Sequence, residues 1–101
     1  MPYIKQDDRQ KLDHYINTLV SVIGERFDDD EKEGVLNYTI TSIIEGIARK
    51  DNKTNWRYRL INRAIGVLEC VKLEFYRRLA GPYEDKAIET NGDISLYLEK
   101  K

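Results

Sequence analysis

Between Ile61 and Leu79 the apolar residues Ile61, Ala64, Ile65, Leu68, Val71, Phe75 and Leu79 return every three or four positions. That spacing places them on one face of a helix. The segment from about Trp56 to Leu79 is the longest such pattern and makes the natural centre of a small domain, so other segments must supply faces that pack on it. Leu60, Val67 and Leu73 lie off the main stripe. The apolar band is therefore wide, as on a helix covered from two sides, and another subunit is one way to cover it.

Two more helices are expected ahead of it. Leu12, Tyr15, Ile16, Leu19, Ile23 and Phe27 form one stripe over about Asp8–Arg26. Asp7 and Asp8 stand at its start, where carboxylates cap amides and suit the helix dipole. "DDDEKEG" (Asp28–Gly34) reads as a charged linker ending in glycine. Leu36, Ile40, Ile43, Ile44 and Ile47 make a second stripe over about Val35–Lys50, where helical spacing outweighs the β-branched composition. "DNKTN" (Asp51–Asn55) is a turn in which Thr54 or Asn55 caps the third helix. Gly81–Pro82 is expected to stop that helix and to open a short fourth. Asn91–Gly92 ends the fourth, the glycine taking a left-handed cap conformation. "DISLYLEKK" reads as a tail, either a short strand or a segment lying against the bundle. The expected fold is all-α, a small bundle of three amphipathic helices plus a short fourth and a tail, in one domain over residues 1–101.

Hydrophobic residues make up 41% of the 101-residue chain and charged residues 35%, which suits amphipathic helices with solvated outer faces. The formal net charge of −1 gives no field to hold nucleic acid, so no nucleic-acid partner is expected. The one cysteine, Cys70, has no disulfide partner in its own chain, which fits a reducing compartment. "MPYIKQDDRQ" is no signal peptide, and no apolar run reaches membrane-spanning length. A cytoplasmic protein with no membrane partner is the expectation.

Lys72 falls inside the apolar stripe. Tyr58, Asn62, Glu69, Lys72 and Tyr76 share one edge of the third helix. Lys72 can run its stem along that edge and pair with Glu69 one turn back. Alternatively the edge borders a polar pocket or a buried charge network, with Asp93 or Glu84 meeting Lys72 between the third and fourth helices. Asn37, at the edge of the second stripe beside Tyr38, is expected to hydrogen-bond to the third or fourth helix, because an amide at a core edge needs partners.

"MPYI" at Met1–Ile4, "LNYTIT" at Leu36–Thr41, "GVLECVKLEFYRR" at Gly66–Arg78 and "PYEDKAIETNGDI" at Pro82–Ile94 carry a resemblance over nearly the whole chain. The chain resembles a family of small uncharacterised proteins of bacteria, archaea and their phages. The resemblance implies a shared polar set: Asn37, Tyr38, Glu69, Lys72, Glu74, Arg77, Arg78, Tyr83, Glu84, Asp85, Asn91 and Asp93. It implies no activity.

Most catalytic chemistry lacks its residues. Cys70 projects away from the stripe, and His14 lies opposite the stripe of the first helix as a solvated residue. One cysteine and one histidine do not make a usual zinc site, and neither GxxxxGK[ST] nor GxGxxG occurs. Carboxylates gather in the C-terminal third. Helical nucleoside triphosphate pyrophosphohydrolases hold magnesium on acids spaced ExxE and ExxD on two helices. Here Glu69 and Glu74 are five apart, and Glu89 and Asp93 are four apart across an expected helix end. A magnesium-dependent nucleotide phosphohydrolase is therefore the second reading. The first is a homo-oligomeric helical module, without cofactor, that binds an anionic or nucleotide-like ligand or a protein. Asn37, Tyr38, Asn62, Glu69, Lys72, Tyr76, Arg78, Tyr83 and Asp93 are its expected site residues. Tyr76, Arg78 and Tyr83 would offer flat rings and a guanidinium fork.

Overall fold

The computed structural model describes residues 2–52 and 56–98, and every regular element among them is helical. They are α1 (Gln6–Arg26), a 3-10 turn (Asp29–Glu31), α2 (Lys32–Asn52), α3 (Tyr58–Phe75), a π turn (Tyr76–Ala80), α4 (Gly81–Asn91) and α5 (Ser95–Leu98). This is the expected all-α set of three long helices and a shorter fourth. The chain divides into two units, Met1–Ala64 and Ile65–Lys101, so α3 begins in the first and ends in the second.

In the first unit, α1 starts at Gln6, with Lys5 as its N-cap and no side-chain cap bond. The Lys5 carbonyl accepts the Asp8 and Arg9 amides at 3.0 and 3.1 Å. Asp7 and Asp8 therefore act through charge on the dipole, not as caps. The acidic linker is more ordered than its composition suggests. The Asp28 amide donates to Glu31 Oε1 at 3.0 Å, and the Glu31 amide to the Asp28 carbonyl at 3.0 Å. This closed turn satisfies amides at a helix entrance, so α2 begins at Lys32 and Gly34 falls inside its first turn. Lys32 Nζ lies 2.7 Å from Asp29 Oδ1, and this hydrogen bond, with the lysine charge, holds the Asp29 carboxyl below its usual range. The α2 helix runs to Asn52; the expected caps Thr54 and Asn55 lie outside the described residues. Glu45 Oε2 accepts the Trp56 indole N–H at 2.7 Å and its Oε1 accepts Arg49 Nε at 2.6 Å, fastening a point two residues ahead of α3 to α2.

In the second unit, the expected stop at Gly81–Pro82 does not occur. The α-helix ends at Phe75 but the chain continues helically through the π turn into α4, which holds Pro82 in its first turn. Proline lacks an amide donor, and in a regular helix its ring collides with the carbonyl four residues back. The wider π turn, in which the Gly81 amide bonds the Tyr76 carbonyl, relieves that collision while the helix goes on. Gly81 also suits the close approach, since a Cβ there would stand 3.3 Å from the Tyr76 carbonyl oxygen. Gly92 ends α4 with φ 87° and ψ 156°, its amide bonding the Ile88 carbonyl at 2.8 Å. Its positive φ was expected, but ψ is extended and not left-handed helical. The tail contains a helical turn and no strand among its described residues: the Ile94 carbonyl accepts the Tyr97 and Leu98 amides at 2.9 and 3.2 Å.

No described residue is fully buried, and the best-covered apolar side chains, such as Ile23, Ile40, Ile44 and Leu60, are half-buried. No helix among the described residues is long and apolar enough to cross a membrane.

Candidate functional site

The π turn builds the most distinctive site of the second unit. At about 100° per residue, Glu84 in an unbroken α-helix would stand roughly 80° around from Tyr76. The π turn fits more residues into one revolution, so eight steps rotate the chain about as far as seven α-helical ones. Glu84 then comes within roughly 20° of Tyr76, on the side that also carries Lys72. Accordingly the Tyr76 hydroxyl donates to Glu84 Oε1. The Glu84 hydrogen bond, then its charge, push the Tyr76 phenol above its ordinary pKa, with desolvation and the Asp85 charge adding in the same direction.

Around this contact lies an open groove of about 580 Å³, lined by Lys72, Phe75, Tyr76, Leu79, Ala80, Tyr83 and Glu84. Its bed is the apolar set Phe75, Leu79 and Ala80. Its polar groups are one ammonium, one carboxylate and two phenols. Three expected site residues, Lys72, Tyr76 and Tyr83, thus meet in one groove.

Lys72 Nζ sits 3.4 Å from Glu69 Oε1, the expected pairing one turn back, with side chains 72% and 54% exposed. It is a surface pair, for which about 0–1 kcal/mol is the ordinary contribution. The expected buried charge network between helices three and four is therefore not what surrounds Lys72. The Asp93 carboxylate accepts the Ile94 amide at 2.8 Å, and Glu84 holds Tyr76. Arg78 sits on the π turn, about half a revolution from Tyr76 and outside the groove lining.

The remaining expected residues lie in the first unit. Asn37 and Tyr38 line a second open groove of about 590 Å³ along α2, with Glu33, Gly34, Thr41 and Ser42. Asn37 Oδ1 accepts the Thr41 hydroxyl at 3.3 Å, a bond along its own helix in place of the expected reach to another. Asn62 is exposed on the first-unit portion of α3.

Among the described residues, the acids of the C-terminal third form no group of three or more whose ligand atoms lie close together. The one group of three acids whose ligand atoms lie within 4.8 Å of one another among the described residues is Asp28, Asp30 and Glu31, all exposed. The bonds that close the linker turn account for the approach of Asp28 to Glu31. In the C-terminal third, Glu69 pairs with Lys72, Glu74 with Arg77 at 2.7 Å, and Glu84 with Tyr76. Cys70 and His14 are exposed, as expected.

The sequence reading missed Glu84 as a partner of Tyr76, and Glu45 as the shared acceptor of Arg49 and Trp56. The signal for the first was a proline set in a pattern that stays helical on both sides. For the second it was a glutamate between Ile44 and Ile47, four residues from an arginine.

Residues 1–94 match the family described as Domain of unknown function (DUF6899), and the chain belongs to it. This agrees with the expectation of a small uncharacterised family over nearly the whole chain. No curated protein and no solved structure matches the chain.

Proposed function

We propose that this DUF6899 chain is a non-catalytic helical interaction module that works as a homo-oligomer, further protein surface covering its apolar faces. The observation that supports this most is the exposure of regularly spaced large apolar side chains in the second unit: Ile65 59%, Phe75 62% and Leu79 63%. Apolar area left in water forgoes about 25 cal/mol per Å², and contiguous patches of it mark interaction surfaces. The groove chemistry points the same way. A phosphorylated or nucleotide-like ligand wants converging cations, whereas Lys72 is countered by Glu69 and shares its groove with Glu84. An apolar bed with one charge of each sign suits another helix better. Glu69, Glu74 and Glu84, each engaged by a neighbour, favour binding over magnesium-dependent hydrolysis.

Light scattering on the full chain at tens of micromolar tests this, together with melting curves across concentration. An oligomeric mass and a melting temperature that rises with concentration are expected. A monomeric mass with a concentration-independent melt would remove the reading. A melt raised by nucleotide or magnesium at unchanged mass would return it to a small-molecule site.

A further inference from the structure

We propose that the groove face of the α3–π–α4 run is a two-fold seam, on which a second copy of the chain packs antiparallel. This rests on the homo-oligomer reading and adds to it the face, the partner and the orientation.

The face is Leu68, Lys72, Tyr76, Ala80, Glu84 and Ile88, one residue in four. In a plain α-helix each such step drifts by about 40°, and the set would wind roughly 200° around the axis. The π turn takes back about 100° of that. The six positions therefore stay within a band roughly 100° wide, the width of an ordinary packing stripe, over a length of about 30 Å. Leu68 is 39%, Tyr76 54% and Ile88 44% exposed, so the band is open along its length.

Its pattern is self-complementary in one orientation. Leu68 and Ile88, Lys72 and Glu84, and Tyr76 and Ala80 are all centred on position 78. A two-fold axis there sets apolar against apolar, ammonium against carboxylate and a large ring against a methyl group, each pairing occurring twice. A parallel arrangement would instead set lysine on lysine and glutamate on glutamate, which is repulsive. Glu84 has the capacity for its role: one oxygen accepts its own Tyr76 hydroxyl, and the other is offered to the partner's Lys72. Lys72 carries three N–H donors, and its ion pair with Glu69 at 3.4 Å leaves it able to reach a second carboxylate. The Tyr76–Glu84 bond thereby positions the acid for the second copy.

The test uses charge reversal in the full chain, with circular dichroism to verify that each variant remains helical. Lys72→Glu and Glu84→Lys should each weaken self-association about tenfold or more, because each sets like charges together at both ends of the seam. Mixing the two single variants should restore association as a mixed dimer, and so should combining both changes in one chain. Self-association indifferent to either reversal overturns the seam but leaves the homo-oligomer reading standing. Weakened single variants that neither mixing nor the double change rescues overturn the antiparallel pairing. A wild-type chain that is monomeric at every concentration defeats both.

Discussion

Replacing Pro82 by alanine tests whether that proline causes the π turn and, through it, the placement of Glu84. A proline inside a regular helix costs about 3 kcal/mol, from the lost amide bond and the collision with the preceding turn. Alanine removes that penalty, and little holds the wide turn in its place. Its remaining ties are its own backbone bonds, such as that from the Gly81 amide to the Tyr76 carbonyl, and the solvent-exposed Tyr76–Glu84 contact. In Pro82→Ala the run from Tyr58 to Asn91 should therefore close into plain α-helix, turning Glu84 by about 100° and leaving it roughly 80° around from Tyr76. The Tyr76 phenol, now raised by Glu84, should fall back toward its ordinary value. The sign of the linkage follows. A phenol raised in the folded chain contributes stability that is full below the ordinary tyrosine pKa and lost as pH climbs through the raised value. The wild type should show that alkaline loss and Pro82→Ala should not. Seven tyrosines make bulk absorbance uninformative. The measurement is therefore an NMR titration of ring-labelled tyrosine, with Tyr76→Phe identifying the resonance. A Tyr76 that stays raised in Pro82→Ala and still responds to Glu84→Gln would show that something other than the proline holds the turn.

Gly92 occupies φ 87° and ψ 156°, a region almost confined to glycine, so Gly92→Ala should cost about 1–3 kcal/mol. The loss should appear as faster hydrogen exchange at Tyr97 and Leu98, whose amides depend on the Ile94 carbonyl; unchanged exchange at both would count against the strain. Glu45→Ala should leave the Trp56 indole without its acceptor, shift the emission of this single tryptophan to the red and cost about 1 kcal/mol, the bond being charge-assisted but half-exposed. Glu45→Gln, which retains a carbonyl acceptor, should keep most of the emission.

Helix type was legible wherever apolar spacing ran for several turns, which is why α1 and α2 emerged with boundaries only two or three residues short. Their true starts depend on particular hydrogen bonds: the Lys5 carbonyl for α1, and for α2 the reciprocal Asp28–Glu31 turn, which composition alone presents as a loop. The pairing of Lys72 with Glu69 was legible because both residues stand on one unbroken helix. Tyr76–Glu84 was not, because counting at a fixed angle fails once the turn widens, and Gly81–Pro82 looks like a terminus to any local rule. Asn37 was assigned a partner on another helix because an edge amide must be satisfied; Thr41, one turn along, supplies a local hydrogen bond that such reasoning does not rank. The six-residue band from Leu68 to Ile88 could not be read at all before the phase change between its halves was known.

The π turn also separates chain length from surface pattern. Tyr76 and Glu84 are eight steps apart, and seven suffice to bring them into line where the helix is regular. Deleting one residue between Arg77 and Ala80, with Pro82 exchanged for a helix former, would present the same side chains on the same face from an uninterrupted rod. A one-residue deletion made together with the proline exchange is therefore the mild change at this point, and the proline substitution made alone is the one that breaks the pattern. Lengthening α4 by one residue after Glu84 has no such reserve. It would turn Ile88 and everything beyond it away from the band.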